Sequence, residues 1–493
     1  MHAPTIPALI VAPGDDVATL LADGAAGDMV AGGVTLTGPV PAGHKVALRA
    51  LAVGATVTKF GAAIGRATRQ IAAGDHVHSH NLATALTTAE DYAYAPLAPR
   101  PAIPVPATTF LGYPRPDGRV GTRNEIWVLP TVGCVARTAE RIAALGHAAR
   151  PAGIDGVYAY SHPHGCSQLG QDLAGTRAIL ASLAAHPNAA GALIVGLGCE
   201  ENQLVELVAE IAPERRATVR TLSAQDSADE VAEGCALVAE LCAATAAERV
   251  PARFDRLVLG VKCGGSDGLS GLTANPLVGR MSDAVTGAGG AVLLTEIPEM
   301  FGAERLLMAR AADRDVFDAT VALITDFKAY FVAQGELISE NPSPGNIAGG
   351  ITTLEEKSLG AVQKAGGATV TDVIGYGARA AVPGVTLLEA PGNDAVSSTA
   401  LAAAGASVIL FTTGRGTPLG FPVPTLKLAS NSALAARKPG WIDFDAGAVL
   451  TEGFDTPAAQ LLDLILATAS GAETAAERNG EREIAIWKRG VTL

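Results

Sequence analysis

The chain has 493 residues, 48% of them hydrophobic, with 56 glycines and a formal net charge of −13. An acidic balance without a basic stripe argues against nucleic acid and against an anionic membrane surface as partners, and no apolar stretch is long enough to span a bilayer. Six cysteines are too sparse for a disulfide framework, and the Val/Ile/Leu/Ala-rich composition suits a buried α/β protein of two or three domains.

Residues 1–92 read as a small β-rich domain. Short apolar segments at 8–11, 29–36, 45–51, 56–60 and 76–80 alternate with Gly and Pro turns. Its first residues lack the basic and apolar regions of a secretory leader, so a cytoplasmic chain with reduced thiols is expected. Two segments carry chemistry. His44-Lys45 stands just before a strand. His76, His78 and His80 alternate along another, which would put three imidazoles on one face; neutral imidazole is a common metal ligand, while a solvated edge strand is the plain alternative. Residues 93–110 contain five prolines and read as an extended linker.

From 111 onward the pattern is α/β, divided into 111–250 and 251–493. Four times a buried strand runs into a Gly/Cys loop and then a helix, as in parallel βαβ units. The strand at 125–130 leads to Cys134. That at 156–160 leads to a loop with His162 and Cys166. The strand at 192–195 leads to Gly196-Leu197-Gly198-Cys199-Glu200-Glu201, and that at 257–259 to Lys262-Cys263-Gly264-Gly265-Ser266-Asp267-Gly268. Further strands are expected at 291–295, 368–373 and 407–411, the last ending in a polar loop with Arg415. Open α/β sheets place their ligands at such strand ends.

Two familiar motifs fail on inspection. Gly196-Leu197-Gly198 begins like a dinucleotide fingerprint, but Glu201 replaces the third glycine and two carboxylates would repel a pyrophosphate. Gly264–Gly268 matches the G-x-S-x-G elbow, yet no histidine follows His186 to complete a hydrolase triad. Cys134, Cys166, Cys199 and Cys263 are expected at the ends of neighbouring strands, where thiolates hold a metal, three of them hold an iron–sulfur cluster, or all pack as small residues. Lys45, Arg123, Lys262, Lys364 and Arg415 lie in polar loops suited to holding an anion. The loop 341–346 pairs prolines with amides, Asn346 among them, suited to hydroxyl recognition. The pattern is that of an enzyme acting on a small, anionic, hydroxylated substrate.

The segments GHKVAL (43–48), GDHVHSHN (74–81), GTRNEIWVLPTVGCV (121–135), SHPHGCSQLG (161–170), GLGCEENQ, KCGGSDGLSGLTANP, TEIPEMFGAE (295–304), NPSPGNIAGGITTLEEKSLG (341–360), APGNDAV, TTGRGTP and WIDFDAG together resemble the altronate/galactarate dehydratase family over essentially the whole chain. The likeness is greater to the altronate branch, because the HVHSHN segment is intact. The resemblance implies an N-terminal SAF-type β domain and dehydration of D-altronate to 2-dehydro-3-deoxy-D-gluconate in hexuronate breakdown. The galactarate and sulfolactate branches, or a sugar-acid-binding homologue without turnover, are the alternatives. It further implies Fe(II), with Mn(II) or an iron–sulfur cluster as alternatives. Under this reading His44, Lys45, His162 and Lys262 are catalytic, with His44 or His162 as the base. Arg123, Ser266, Asp267, Asn346, Lys364 and Arg415 bind substrate, with Lys262 and Arg415 on its carboxylate. The metal falls to His76 and His78, or to Cys166, Cys199 and Cys263. A homodimer is expected on base rates.

Overall fold

The computed structural model describes residues 5–30, 32–88, 91–98 and 108–493. Of the expected linker, residues 99–107 lie outside the described residues, and Thr109 already opens the strand Thr109–Pro114.

The N-terminal unit consists of short antiparallel strands. One sheet runs in the order Ala8–Leu9, Val17–Leu20, Lys45–Ala47, His76–Val77, and a second in the order Thr56–Lys59, Ala62–Ala67, Leu82–Ala83. Glycine turns keep the strands short. At Gly74, φ is +88° and a Cβ would lie 1.9 Å from the Thr35 carbonyl oxygen, so no other residue fits there. Ala18, Leu20, Val30, Leu36, Val40 and Val46 form a small core of the unit's own. Val57, Ile64, Ile71 and Leu82 instead join the core of the C-terminal sheet. The unit is therefore welded to the rest by apolar burial.

Four parallel strands follow, ordered Gly156–Ala159, Glu125–Pro130, Ala189–Gly196, Val219–Ser223. Burial on both faces explains their near-continuous apolar sequence. Ile126, Val128, Leu193 and Val195 face the helices Ala136–Ala149 and Glu230–Thr245. Trp127, Leu129, Ala192 and Ile194 face the helix Gly170–Ala184 and, beyond it, residues of the C-terminal domain.

The C-terminal domain is built on seven parallel strands, ordered Val370–Ile374, Gly384–Leu388, Ala291–Leu294, Val258–Cys263, Val408–Thr413, Thr425–Ala429, Phe444–Asp445. The chain enters at the middle strand, Val258–Cys263, fills one side, and then crosses to the other. The C-terminal end of that strand is thus the switch point, where a crevice opens between diverging connections. Its last residue is Cys263. The four Gly/Cys loops do not share one sheet as expected: Cys134, Cys166 and Cys199 follow strands of the four-stranded sheet, and Cys263 alone belongs to the seven-stranded one. The crossing lies in Thr109–Pro114, Val120–Gly121 and Val250–Arg253, a small antiparallel sheet between the two. Among the described residues no helix is long and apolar enough to cross a membrane.

Candidate active site

A cleft of about 780 Å³ opens at the end of the middle strand. One wall is apolar, with Phe327, Tyr330, Phe331 and Trp487. The other is polar, with Cys263, Glu299, Asn346, Lys357, Asn393 and Asp394.

Its polar floor is assembled from four strand-end segments. Gly264 must be glycine, since a Cβ would fall 2.5 Å from Asp394 Oδ2. In Thr295-Glu296-Ile297-Pro298-Glu299 the two carboxylates are three residues apart, and a tight 3₁₀ turn at Ile297–Met300 brings both toward Cys263. Cys263 Sγ and one oxygen each of Glu296 and Glu299 lie within 4.8 Å of one another, all buried. Cys263 Sγ stands 3.3 Å from Glu299 Oε2, its thiol donating to the carboxylate.

Three ammonium groups balance these carboxylates. Lys262 Nζ lies 2.8 Å from Asp394 Oδ1 and 3.2 Å from Glu296 Oε1, and donates to Ser397 Oγ. Lys364 Nζ lies 3.1 Å from Glu296 Oε2 and 2.8 Å from Cys263 Sγ. Lys357 Nζ lies 2.8 Å from Glu299 Oε1 and donates to Asn341 Oδ1 and Asn346 Oδ1. Burial works against every charge here, and the partners outweigh it. Glu296 is held below the usual carboxylate range by Lys262 and Lys364. Lys262 is raised by Glu296 and Asp394, and Lys357 by Glu299. Cys263 goes the other way: burial, then the charge of Glu296, push its thiol up to about 12, so it stays protonated at neutral pH. Asp394 differs from the rest. Its side chain is 32% exposed, and among the described residues Oδ2 accepts no hydrogen bond.

Beside the cleft, the N-terminal unit docks on residues 347–356. Lys45 Nζ donates to the carbonyl of Gly350, to Thr352 Oγ1 and to Glu356 Oε2, at 2.7, 2.8 and 2.8 Å. Lys59 Nζ takes Glu356 Oε1 at 3.0 Å. One carboxylate thus serves two buried ammonium groups. Burial opposes its charge, yet Lys45 and Lys59 lower Glu356 to about 2. The expected histidine group does assemble, with ring centroids of His44, His76 and His78 5.1–5.2 Å apart and His80 5.5 Å from His76. It does so through a turn, because the strand ends at Val77 and Asn81 bonds back to His78. His44 Nδ1 meets His76 Nε2 at 3.1 Å, and His78 Nε2 donates to the Ile347 carbonyl at 3.0 Å. His44 Nδ1, His76 Nε2 and both nitrogens of His78 are thereby engaged, the last through Ser79 Oγ as well. Burial, and then the charge of His44, lower His76 to about 3, so His76 is neutral at pH 7.

Of the residues singled out from sequence, Cys263 and Asn346 line the cleft. Arg415 is exposed, and it reaches the Gly345 carbonyl at 3.4 Å. Lys262 and Lys364 stand behind the floor. His44 and Lys45 lie in the docking interface, outside the cleft lining. Asp267 is a structural latch, accepting from Ser270, Ser430 and Asn431, and the Ser266 carbonyl takes Asn346 Nδ2. Arg123 does not reach the cleft at all. Its guanidinium pairs with Glu477 at 2.8 and 2.9 Å and donates to the carbonyls of Thr122, Thr468 and Ala472, which spends all five donors. His162 is 4% exposed, with Nε2 donating to the Pro130 carbonyl and Nδ1 accepting from His164 N. Burial lowers it to about 4, so neither nitrogen serves as a base in the cleft. Cys166 and Cys199 are exposed on the other sheet, and the set Cys166/Cys199/Cys263 does not come together. Sequence reasoning gave no role to Glu296, Glu299, Lys357 or Asp394. For Glu296 and Glu299 the signal was charge placed directly after the expected strand at 291–295; Lys357, inside the helix Leu354–Ala361, and Asp394, after the unexpected strand Gly384–Leu388, carried none.

Residues 254–492 match the family described as D-galactarate/altronate dehydratase, C-terminal. Residues 112–246 match its second domain, and residues 6–85 the altronate/galactarate dehydratase SAF domain. The chain is 49% identical to altronate dehydratase of Escherichia coli (strain K12), over 97% of this chain and 98% of that protein. It is 46% identical to altronate dehydratase of Bacillus subtilis (strain 168), over 92% of each. Identity to the galactarate dehydratase (L-threo-forming) of E. coli K12 is 32%, over 93% of this chain and 91% of that protein.

Proposed function

The chain belongs to the D-galactarate/altronate dehydratase family, and from that premise we propose that it is a hydro-lyase converting D-altronate to 2-dehydro-3-deoxy-D-gluconate and water. Full-length identity of nearly one half to two altronate dehydratases, against about one third to a galactarate enzyme, supports altronate as the substrate.

The chemistry sets the requirements. A proton on the carbon beside a carboxylate is barely acidic, so its removal needs a base and cations that stabilise the enediolate. The observation that carries the assignment is the pairing, in one cleft, of a buried ammonium kept charged by its neighbouring carboxylate and of a second carboxylate with a free oxygen. Lys357, fixed by Glu299, Asn341 and Asn346, faces the substrate carboxylate and the charge that grows on it. Asp394 Oδ2 takes the C2 proton. The C2=C3 bond then forms as the C3–O bond breaks, and the 3-hydroxyl leaves as water with the proton that Asp394 holds, which restores the carboxylate. Lys262 holds Asp394 in place through its other oxygen. Asn393, whose Oδ1 accepts from Ala395 N and Val396 N, reads a hydroxyl group through Nδ2, Asn346 holds Lys357 in place, and Arg415 guards the rim. The ketone then forms from the enol without further help.

For the expected Fe(II) or Mn(II), the buried thiol and two carboxylates of Cys263, Glu296 and Glu299 are a suitable donor set. Glu296 Oε1 is buried and meets only the Lys262 ammonium, at 3.2 Å, among the described residues. These three residues would hold the ion, which would supply Lewis-acid stabilisation of the enediolate. The histidine group fits less well, since among the described residues it does not bring three donor atoms within 4.8 Å of one another.

The test is turnover of D-altronate, galactarate and sulfolactate by anaerobically purified enzyme with ferrous iron. Preference for D-altronate is expected. Preference for either other acid overturns the substrate, and no turnover of any overturns the assignment.

A further inference from the structure

Outside the cleft, three cysteines have no role in the chemistry above. Cys134, Cys166 and Cys199 each follow one of three adjacent parallel strands, Glu125–Pro130 in the middle, with Gly156–Ala159 and Ala189–Gly196 on either side. All three thiols are exposed. Cysteine is ordinarily among the most buried residue types, and here Cys242 and Cys263 follow that rule.

The three loops are tied into one body. Gly133 N donates to the His164 carbonyl at 2.9 Å, and Asn202 N to the Gly165 carbonyl at 3.2 Å. Asn202 Nδ2 reaches the Thr131 carbonyl at 3.1 Å, and Ser167 N donates to Glu201 Oε2 at 2.7 Å. Gly165, with φ +100°, admits no side chain, since a Cβ would sit 2.0 Å from the Thr131 carbonyl oxygen. The chain end adds a further tie, Leu493 N donating to the Ser167 carbonyl at 3.0 Å. So much fixed geometry around three exposed thiols is unusual for bystanders.

Two polar groups point to an acceptor-rich ligand. Gln225 Nε2 donates to Cys199 Sγ at 3.4 Å. Gln168 Nε2, two residues from Cys166, is buried without an acceptor. A single tetrahedral metal needs thiolates about 2.3 Å from the ion and so close to one another. Among the described residues only the Cys263 group brings three donor atoms within 4.8 Å, so these thiols are spaced too widely for one ion. A wider triangle of thiolates suits a polynuclear cluster, whose inorganic core fills the centre.

We propose that Cys134, Cys166 and Cys199 bind an iron–sulfur cluster of the four-iron type through three thiolates, with the fourth iron facing outward. The site is separate from the cleft, and the proposal stands whether or not the assignment of Asp394 and Lys357 holds.

The test uses the full chain, reconstituted anaerobically with ferric iron, sulfide and dithiothreitol, whose thiols reduce part of the iron to the mixed-valent core. About four acid-labile sulfides per chain are expected, with visible charge-transfer absorption that bleaches on reduction. Cys134→Ser, Cys166→Ser and Cys199→Ser should each fall to background sulfide, while Cys263→Ser and Cys235→Ser retain the full amount. Alkylation followed by mass spectrometry gives a reading that needs no variant: the three thiols should be protected in reconstituted protein and labelled after chelation. Background sulfide in the unaltered chain, equal labelling with and without chelation, one zinc per chain in place of iron, or sulfide lost only with Cys263 would each overturn the site.

Discussion

Two sets of strand ends in this molecule obey the same local grammar and come to different chemistry. In the seven-stranded sheet, the loop after Val258–Cys263 is roofed by residues 341–357 and flanked by the N-terminal unit. Its cysteine is buried among three ammonium groups and three carboxylates. In the four-stranded sheet, the loops after three strands are bonded mainly to one another, and their cysteines remain open to solvent. A parallel strand running into a Gly/Cys loop therefore specifies a place, and what packs over that place decides the reaction. Burial makes Cys263 a poor nucleophile and strengthens the pull of the neighbouring ammonium groups on an anion.

The comparison breaks first at Asp394. Asp394→Asn should lower kcat for D-altronate by roughly 10²–10⁴-fold, the usual worth of a positioned general base, with KM changed little; steady-state kinetics check it. A second variant isolates the roof. Lys45→Met should cost about 3 kcal/mol in urea unfolding, the low end for a broken buried pair, because Lys59 still neutralises Glu356. Acid should act on the same interface. Glu356 and His76 both have folded pKa values below their ordinary ones, about 2 and about 3. The unfolded chain then binds more protons in the window between, so stability rises with pH there. Unfolding midpoints should fall as the pH drops below about 6.5, and more steeply below about 4.5, where Glu356 begins to contribute. His76→Gln should reduce the slope of the upper part only, where His162 and His186, also lowered by burial, still contribute. Arg123→Lys loses the two-pronged pairing with Glu477 and should cost roughly 1–3 kcal/mol while leaving KM for D-altronate unchanged, as its distance from the cleft requires. Least of all, Cys235→Ser should stay within about 0.5 kcal/mol and leave turnover alone.

How much of this was legible in the sequence depends on the range of the forces involved. Buried parallel strands show as short Val/Ile/Leu runs, and glycines at their ends mark loops, so the alternation of strand, Gly/Cys loop and helix could be read directly. The partition into two sheets could not, since nothing in the loops around Cys199 and Cys263 records which strands become neighbours. Arg123 illustrates the same limit. Beside Thr and Asn it resembles an anion site, but its partner Glu477 lies more than three hundred residues away along the chain. His162 stood as a candidate base on the family resemblance, and only the packing shows that backbone groups hold both its nitrogens. Lys357 and Glu299 went unread for the converse reason. Each is an ordinary charge in its own segment, and becomes chemically distinctive only when the other is 2.8 Å away.

The most direct test of the account is the position of substrate. A crystal structure of Asp394→Asn with D-altronate should show the sugar acid in the cleft at the end of Val258–Cys263. Its carboxylate should lie beside Lys357 and its C2 hydrogen should point to residue 394. Density for D-altronate at the mouth formed by Cys134, Cys166 and Cys199, with the cleft holding none, would contradict it.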